Sequence, residues 1–170
     1  ASTIVEFKNR YHLHNHDIAI MYRTNAQSRI FEEQLRKQNL PYRIFGGISF
    51  YQRKEVKDIL AYLRLVVNVR DDEALKRIIN YPKRGIGKTT LDQLAEVAVS
   101  SGISMWEALV QEPFRHKGKL PVFIDMIERF RQKTTTVDAY EIALMVARES
   151  GVYEELRQDN TIEGISRLEN

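Results

Sequence analysis

Ten residues near the middle of the chain, Tyr81-Pro-Lys-Arg-Gly-Ile-Gly-Lys-Thr-Thr90, combine the side chains and the spacing needed to hold an anion. Two glycines flank Ile86, and Lys83, Arg84 and Lys88 supply charge around Gly85 and Gly87. Thr89 stands where an apolar helical run begins, with Leu91, Leu94, Ala95 and Ala98 on one face. A glycine turn that feeds a helix N-terminus presents bare backbone N–H groups to a phosphate. The segment suits non-covalent grip and offers nothing for covalent chemistry. Gly87-Lys88-Thr89 also reads like the end of a nucleotide-binding P-loop. That motif requires a glycine where Pro82 stands and a buried strand where Arg77-Ile-Ile-Asn80 follows a helical pattern. ATP binding at this loop is therefore rejected.

Other reactive residue types do not assemble into a site. His12, His14 and His16 alternate in Tyr11-His-Leu-His-Asn-His-Asp17, but beyond Asp17 nothing offers a fourth metal ligand. An exposed loop is the favoured reading there, and no metal is expected. Glu32-Glu33 and Asp71-Asp72 are adjacent pairs, which diverge on a helix. No Ser/His/Asp arrangement can be inferred, and Trp106 reads as a core anchor. The chain has no cysteine, so disulfides and thiolate metal sites are excluded. It also has no run of membrane-spanning length.

The net charge of +3 hides an asymmetry. Residues 22–90 hold 15 Lys/Arg against 7 Asp/Glu, whereas residues 91–170 hold 9 against 14. A basic half that carries the glycine turn is the electrostatic footprint of a phosphate-backbone binder.

The elements that must position these residues follow from periodicity. Asp17-Ile-Ala-Ile-Met-Tyr22 is a short apolar run with the look of a buried parallel strand. Thr24 with Gln27 has the form of a capping box opening a helix through Ala26, Ile30, Phe31 and Leu35. Tyr42-Arg-Ile-Phe45 reads as a second strand, giving a strand–helix–strand unit. Val56, Ile59, Leu60, Leu63 and Val67 form the expected core stripe of the next helix. Asp71, then Ser104 with Glu107, Pro121, and Asp138 with Glu141 mark later helix starts, and Gly151 marks a stop. Glu112 to Gly118 reads as a polar loop. The fold class expected is an α/β N-terminal part with a partial parallel sheet, followed by an all-helical part. The absence of an initiator Met and the small sheet point to a piece of a longer protein.

Four blocks carry a resemblance: Ile18-Ala-Ile-Met-Tyr-Arg-Thr-Asn-Ala-Gln-Ser-Arg29, Pro41-Tyr-Arg-Ile-Phe-Gly-Gly47, Phe50-Tyr-Gln-Arg-Lys-Glu-Val-Lys-Asp-Ile-Leu-Ala-Tyr-Leu-Arg64 and Arg77-Ile-Ile-Asn-Tyr-Pro-Lys-Arg-Gly-Ile-Gly87. In order and spacing they resemble the UvrD/PcrA/Rep family of superfamily 1 DNA helicases, and Ser166-Arg-Leu-Glu-Asn170 extends the likeness. The resemblance implies that residues 1–70 are part of the second RecA-like motor domain (2A) and residues 71–170 part of its inserted helical domain (2B). It implies a full-length parent that is an ATP-dependent 3′→5′ DNA helicase using ATP and Mg²⁺. This segment would have no cofactor and no activity of its own.

By the same resemblance, Arg23, Thr24 and Asn25 would face single-stranded DNA. Lys83, Arg84, Gly85, Ile86, Gly87, Lys88 and Thr89 would grip the duplex backbone. Binding would be sequence-nonspecific and salt-sensitive, because such contacts carry no base information. The remainder of the helicase chain would be its partner, in a bacterial cytoplasm close to the nucleoid. The rival readings are a freestanding helix–GIG–helix DNA-binding adaptor and a protein-interaction module.

Overall fold

A computed structural model describes residues 2–23, 25–45 and 49–169, with the side chains of residues 25, 26, 162, 163, 166 and 169 outside the description. Ten α-helices follow one another among these residues: α1 (Ser2–Tyr11), α2 (Asn25–Lys37), α3 (Lys54–Val67), α4 (Asp72–Ile78), α5 (Lys88–Ser101), α6 (Met105–Leu109), α7 (Leu120–Lys133), α8 (Ala139–Glu149), α9 (Val152–Gln158) and α10 (Ile162–Glu169). The chain divides into two units, Ala1–Val56 with Glu169–Asn170, and Lys57–Leu168.

The expected α/β part with a parallel sheet is corrected: no strand occurs among the described residues, and the architecture is all-helical. Asn15–Asp17 form a 3-10 turn where the first strand was expected to start. Ile18 leaves it in extended conformation, at φ −118° and ψ 126°. No described backbone hydrogen bond joins residues 19–23 to residues 41–45. A β-branched apolar run favours extension, but a strand exists only once a neighbour takes its N–H and C=O groups, and two segments make a marginal sheet. Instead, a cavity of about 600 Å³ is lined by Ile18, Ile20, Tyr22, Tyr42 and Ile44, with Phe31 of α2 among its walls.

What orders the first unit is one buried carboxylate. Glu32, on α2, accepts from Ser49 Oγ at 2.6 Å, Tyr42 Oη at 3.1 Å and the Phe50 N–H at 3.1 Å. Burial pushes its carboxyl up, but hydrogen bonds from Ser49, Phe50, Tyr42 and Ser28 outweigh that and hold it below its ordinary value. Arg29 stacks over the Phe50 ring at 4.9 Å and Arg36 over Tyr51 at 4.4 Å.

The second unit is built on a continuous apolar core of Tyr62, Leu65, Leu75, Ile78, Leu94, Leu109, Phe123, Ile127, Phe130 and Val146, all with essentially no exposure. Its helices start where the sequence places caps. Asp71 accepts from the Ala74 N–H at 2.9 Å, Asp138 from the Glu141 N–H at 2.8 Å, and Ser104 with Glu107 closes a reciprocal capping box. Gly151 ends α8 with φ 86°, a conformation glycine adopts without strain.

The stripe of α3 is rotated from the expected one. Leu60 and Val67 are exposed, while Asp58, Ala61, Tyr62, Leu65 and Val66 are buried. Asp58 turns inward because Arg77 of α4 meets it, with Nη2 at 2.7 Å. An ion pair at a buried carboxylate thus overrides a purely apolar count.

Candidate nucleic-acid interface

Asn80, two residues past α4, shapes the glycine turn. Its Oδ1 accepts from the Arg84 N–H at 2.9 Å and the Ile86 N–H at 3.2 Å. Ile86 is buried and belongs to the apolar core, so it pegs the turn from beneath. Gly85 lies at φ 75°, the left-handed region that favours glycine. Gly87 is different. It is the N-cap of α5 at φ −80° and ψ 169°, a backbone any residue adopts, and a Cβ built there meets nothing within 4 Å. The fold itself therefore does not demand a glycine at 87, and the space beside it is open to a ligand.

The outward face of the turn is cationic and unoccupied by the chain itself. Lys83, Gly85, Gly87, Lys88 and Thr89 are exposed. Among the described residues, Lys83, Lys88 and Thr89 side chains make no hydrogen bond or ion pair. At the N-terminus of α5 the N–H groups of Thr90 and Leu91 return to the Gly87 carbonyl. No acceptor among the described residues takes those of Lys88 and Thr89. Unsatisfied N–H groups at the positive end of a fourteen-residue helix favour an anion.

Arg84 does not share this face. Its Nη1 donates to the carbonyls of Ile78 and Pro82 at 3.1 and 3.2 Å. Its Nη2 donates to Tyr62 Oη at 2.6 Å and to the Ser150 carbonyl at 2.8 Å. Tyr62 Oη in turn donates to the Tyr81 carbonyl at 2.5 Å. Burial pushes the Tyr62 phenol up to about 12, against the opposing pull of Arg84, so it stays a protonated donor at any ordinary pH.

A second set of cations, in the segment read from sequence as merely polar, reaches α5 through Lys117. Arg115, Lys117 and Lys119 are exposed, and buried Phe114 anchors the segment between them and α6. Lys117 Nζ donates to Gln93 Oε1 at 3.0 Å. Gln93 lies four residues after Thr89, hence on the same face of α5. Asp92 and Glu96 follow Lys88 at four-residue spacing, so acids continue the row that Lys88 opens. The signal was present in the chain: three cations in five positions, within a half where acids outnumber bases. Most other arginines of that half, Arg129, Arg131, Arg157 and Arg167, pair with carboxylates.

The other predicted site lies in the first unit. Arg23 is exposed, and its N–H donates to Gln27 Oε1 at 2.9 Å. Thr24 and the Asn25 side chain lie outside the described residues. The rings of His14 and His16 stack at 5.4 Å. No group of three or more metal-ligating side chains converges among the described residues. No helix among them is long and apolar enough to cross a membrane. Trp106 is buried against Phe123 in the core, as its sequence position implies.

Comparison with known proteins adds an independent finding. The profile of the UvrD-like helicase C-terminal domain family matches residues 1–165. The ATP-dependent DNA helicase PcrA of Staphylococcus aureus (strain Mu50) is 43% identical over 159 residues, which cover 91% of this chain and 22% of that protein. PcrA of Staphylococcus epidermidis (strain ATCC 35984) is 42% identical over the same length, with the same coverage. The chain thus spans about a fifth of the length of these relatives.

Proposed function

Since this chain belongs to the UvrD-like helicase C-terminal domain family, we propose that it is the DNA-gripping part of an ATP-dependent helicase of superfamily 1. Residues 1–70 would belong to the second motor domain and residues 71–170 to the helical domain inserted in it. The parent would move 3′→5′, fuelled by ATP with Mg²⁺ held elsewhere in the chain. Its place would be the bacterial cytoplasm, near the nucleoid, in a task such as repair. The segment itself needs no cofactor.

The observation that carries this reading is the open N-terminus of α5. Two free backbone N–H groups, two unpaired lysines and a threonine face outward around a glycine whose Cβ position is empty. That arrangement fits a sugar-phosphate backbone, with Lys88, Thr89 and the Gly87 turn at one phosphate and Lys83 beside it. Ile86 serves as the peg beneath. Lys117 extends the same face along α5 at Gln93, with Arg115 and Lys119 exposed nearby in sequence. Phosphate neutralisation of this kind is blind to sequence. Arg23, Thr24 and Asn25 would meet the single strand from the first unit.

Fluorescence-anisotropy titration of the chain with duplex, forked and single-stranded DNA at two salt concentrations tests the proposal. The Lys83→Ala/Lys88→Ala double variant is expected to lower the duplex salt slope by about two, one per phosphate lost. Gly87→Ala is expected to fold normally and to bind duplex more weakly. An unchanged slope in the double variant, or no duplex binding in dilute buffer, refutes the assignment.

A further inference from the structure

We propose that Arg84 is a positioning residue of the duplex grip rather than one of its phosphate ligands, and that the buried Tyr62–Arg84–Ser150 bridge sets how α5 meets the backbone. The proposal rests on the reading of the glycine turn as a duplex grip. An arginine recognises phosphate through a fork of two parallel N–H groups. Both terminal nitrogens of Arg84 are already committed inward, to Ile78 O, Pro82 O, Tyr62 Oη and Ser150 O. The guanidinium also lies 5.6 Å from the Phe123 ring centroid and 5.9 Å from that of Tyr62.

Forking a phosphate end-on through both terminal nitrogens would take N–H groups from these inward hydrogen bonds. Each of those bonds reaches a different part of the unit. Ile78 is the last residue of α4, Pro82 opens the turn, Tyr62 sits on α3 and Ser150 lies at the corner between α8 and α9. The corner lies beside the turn there, since a Cβ on Gly151 would be in ordinary contact with Pro82 Cγ at 3.6 Å. One side chain therefore ties the turn to α3 and to the α8–α9 corner, and Asn80 fixes the turn's inner N–H groups. The outward charge of the turn is then carried by Lys83 and Lys88 alone.

Two conservative variants separate the roles. Arg84→Lys keeps the charge and loses the fork. Tyr62→Phe removes one hydroxyl from a side chain with no exposure, which cannot touch DNA. Both are measured with Lys88→Ala for duplex affinity and salt slope, with circular dichroism confirming helical content. A positioning role predicts weaker duplex binding by about tenfold for Arg84→Lys and about threefold for Tyr62→Phe, of the size expected for one or two charged hydrogen bonds only partly felt at the site. The two effects are expected to be non-additive in a double-mutant cycle. Near-normal binding by both variants, with Arg84→Ala lowering the salt slope by about one, makes Arg84 a ligand and overturns the proposal. If Arg84→Lys does not fold, Tyr62→Phe alone decides: normal duplex affinity overturns the proposal. If Lys88→Ala binds duplex normally, the grip reading fails first and the proposal goes with it.

Discussion

The two units differ in how much large apolar side chain they bury completely. In Lys57–Leu168, Tyr62, Phe123, Phe130 and nine further large side chains are fully buried in a shared core. In Ala1–Val56, Met21 is 94% exposed and Phe45 82% exposed, and the described order centres on Glu32 and its hydrogen bonds. The difference is one of backbone bookkeeping. A helix satisfies its N–H and C=O groups within four residues and needs a neighbour only for its apolar face. An extended run needs a partner for its backbone before its side chains have a surface to join. The helices of Lys57–Leu168 therefore bury one another's apolar faces, whereas residues 19–23 and 41–45 make no backbone–backbone hydrogen bond among the described residues.

The sharpest way to break this comparison is to remove a large side chain from each unit. Phe123→Ala should cost about 3–5 kcal/mol of stability, the usual loss for a buried aromatic. Met21→Ser should stay within about 0.5 kcal/mol, as exposed substitutions do. Denaturant unfolding followed by circular dichroism measures both, and equal losses would erase the distinction. Next in size is Glu32→Gln, expected to cost about 1–3 kcal/mol, because Ser49, Tyr42 and the Phe50 N–H would lose a charged acceptor. Faster amide exchange confined to the first unit would locate the effect, and unchanged exchange at Phe50 would show that the carboxylate is not what orders it.

The smallest effect is a pH dependence in the helical unit. Hydrogen bonds from the Ser104 backbone and hydroxyl, then from Arg70, hold the Glu107 carboxyl down to about 2 from an ordinary 4.5. A depressed folded-state value stabilises fully above the unfolded value and is lost as pH falls toward the folded one. The contribution should therefore fade between pH 4.5 and about 2, and Glu107→Gln should flatten that part of an acid titration. A wild-type curve already flat there would mean that the capping box adds nothing.

Much of the candidate site was legible in the chain. The glycine turn and the helix it opens were read from ten residues, while Ile86 and Arg84, both expected at the phosphate backbone, turn inward, Ile86 as a buried peg and Arg84 into hydrogen bonds with the chain. The direction of Arg84 was not legible. Its partners stand 22 residues upstream at Tyr62 and 66 residues downstream at Ser150, and nothing in the local pattern marks them. The cations at 115–119 were visible as residues, but the approach of Lys117 to α5 depends on a contact 24 residues away at Gln93. The core stripe of α3 was misjudged because Asp58 is drawn inward by Arg77, 19 residues along.

Sequence alone determined the features whose partners lie within a turn or two of the chain: the caps at Asp71, Ser104 and Asp138, the stop at Gly151, the open turn at Gly85-Ile-Gly87, and the blocks that reveal the family. Tertiary structure decided whether the extended runs pair, which way Arg84 points, and which face of α3 is buried. Each of those depends on a hydrogen-bonding partner brought near only by folding, and a local pattern of residue types carries no record of where such a partner will be.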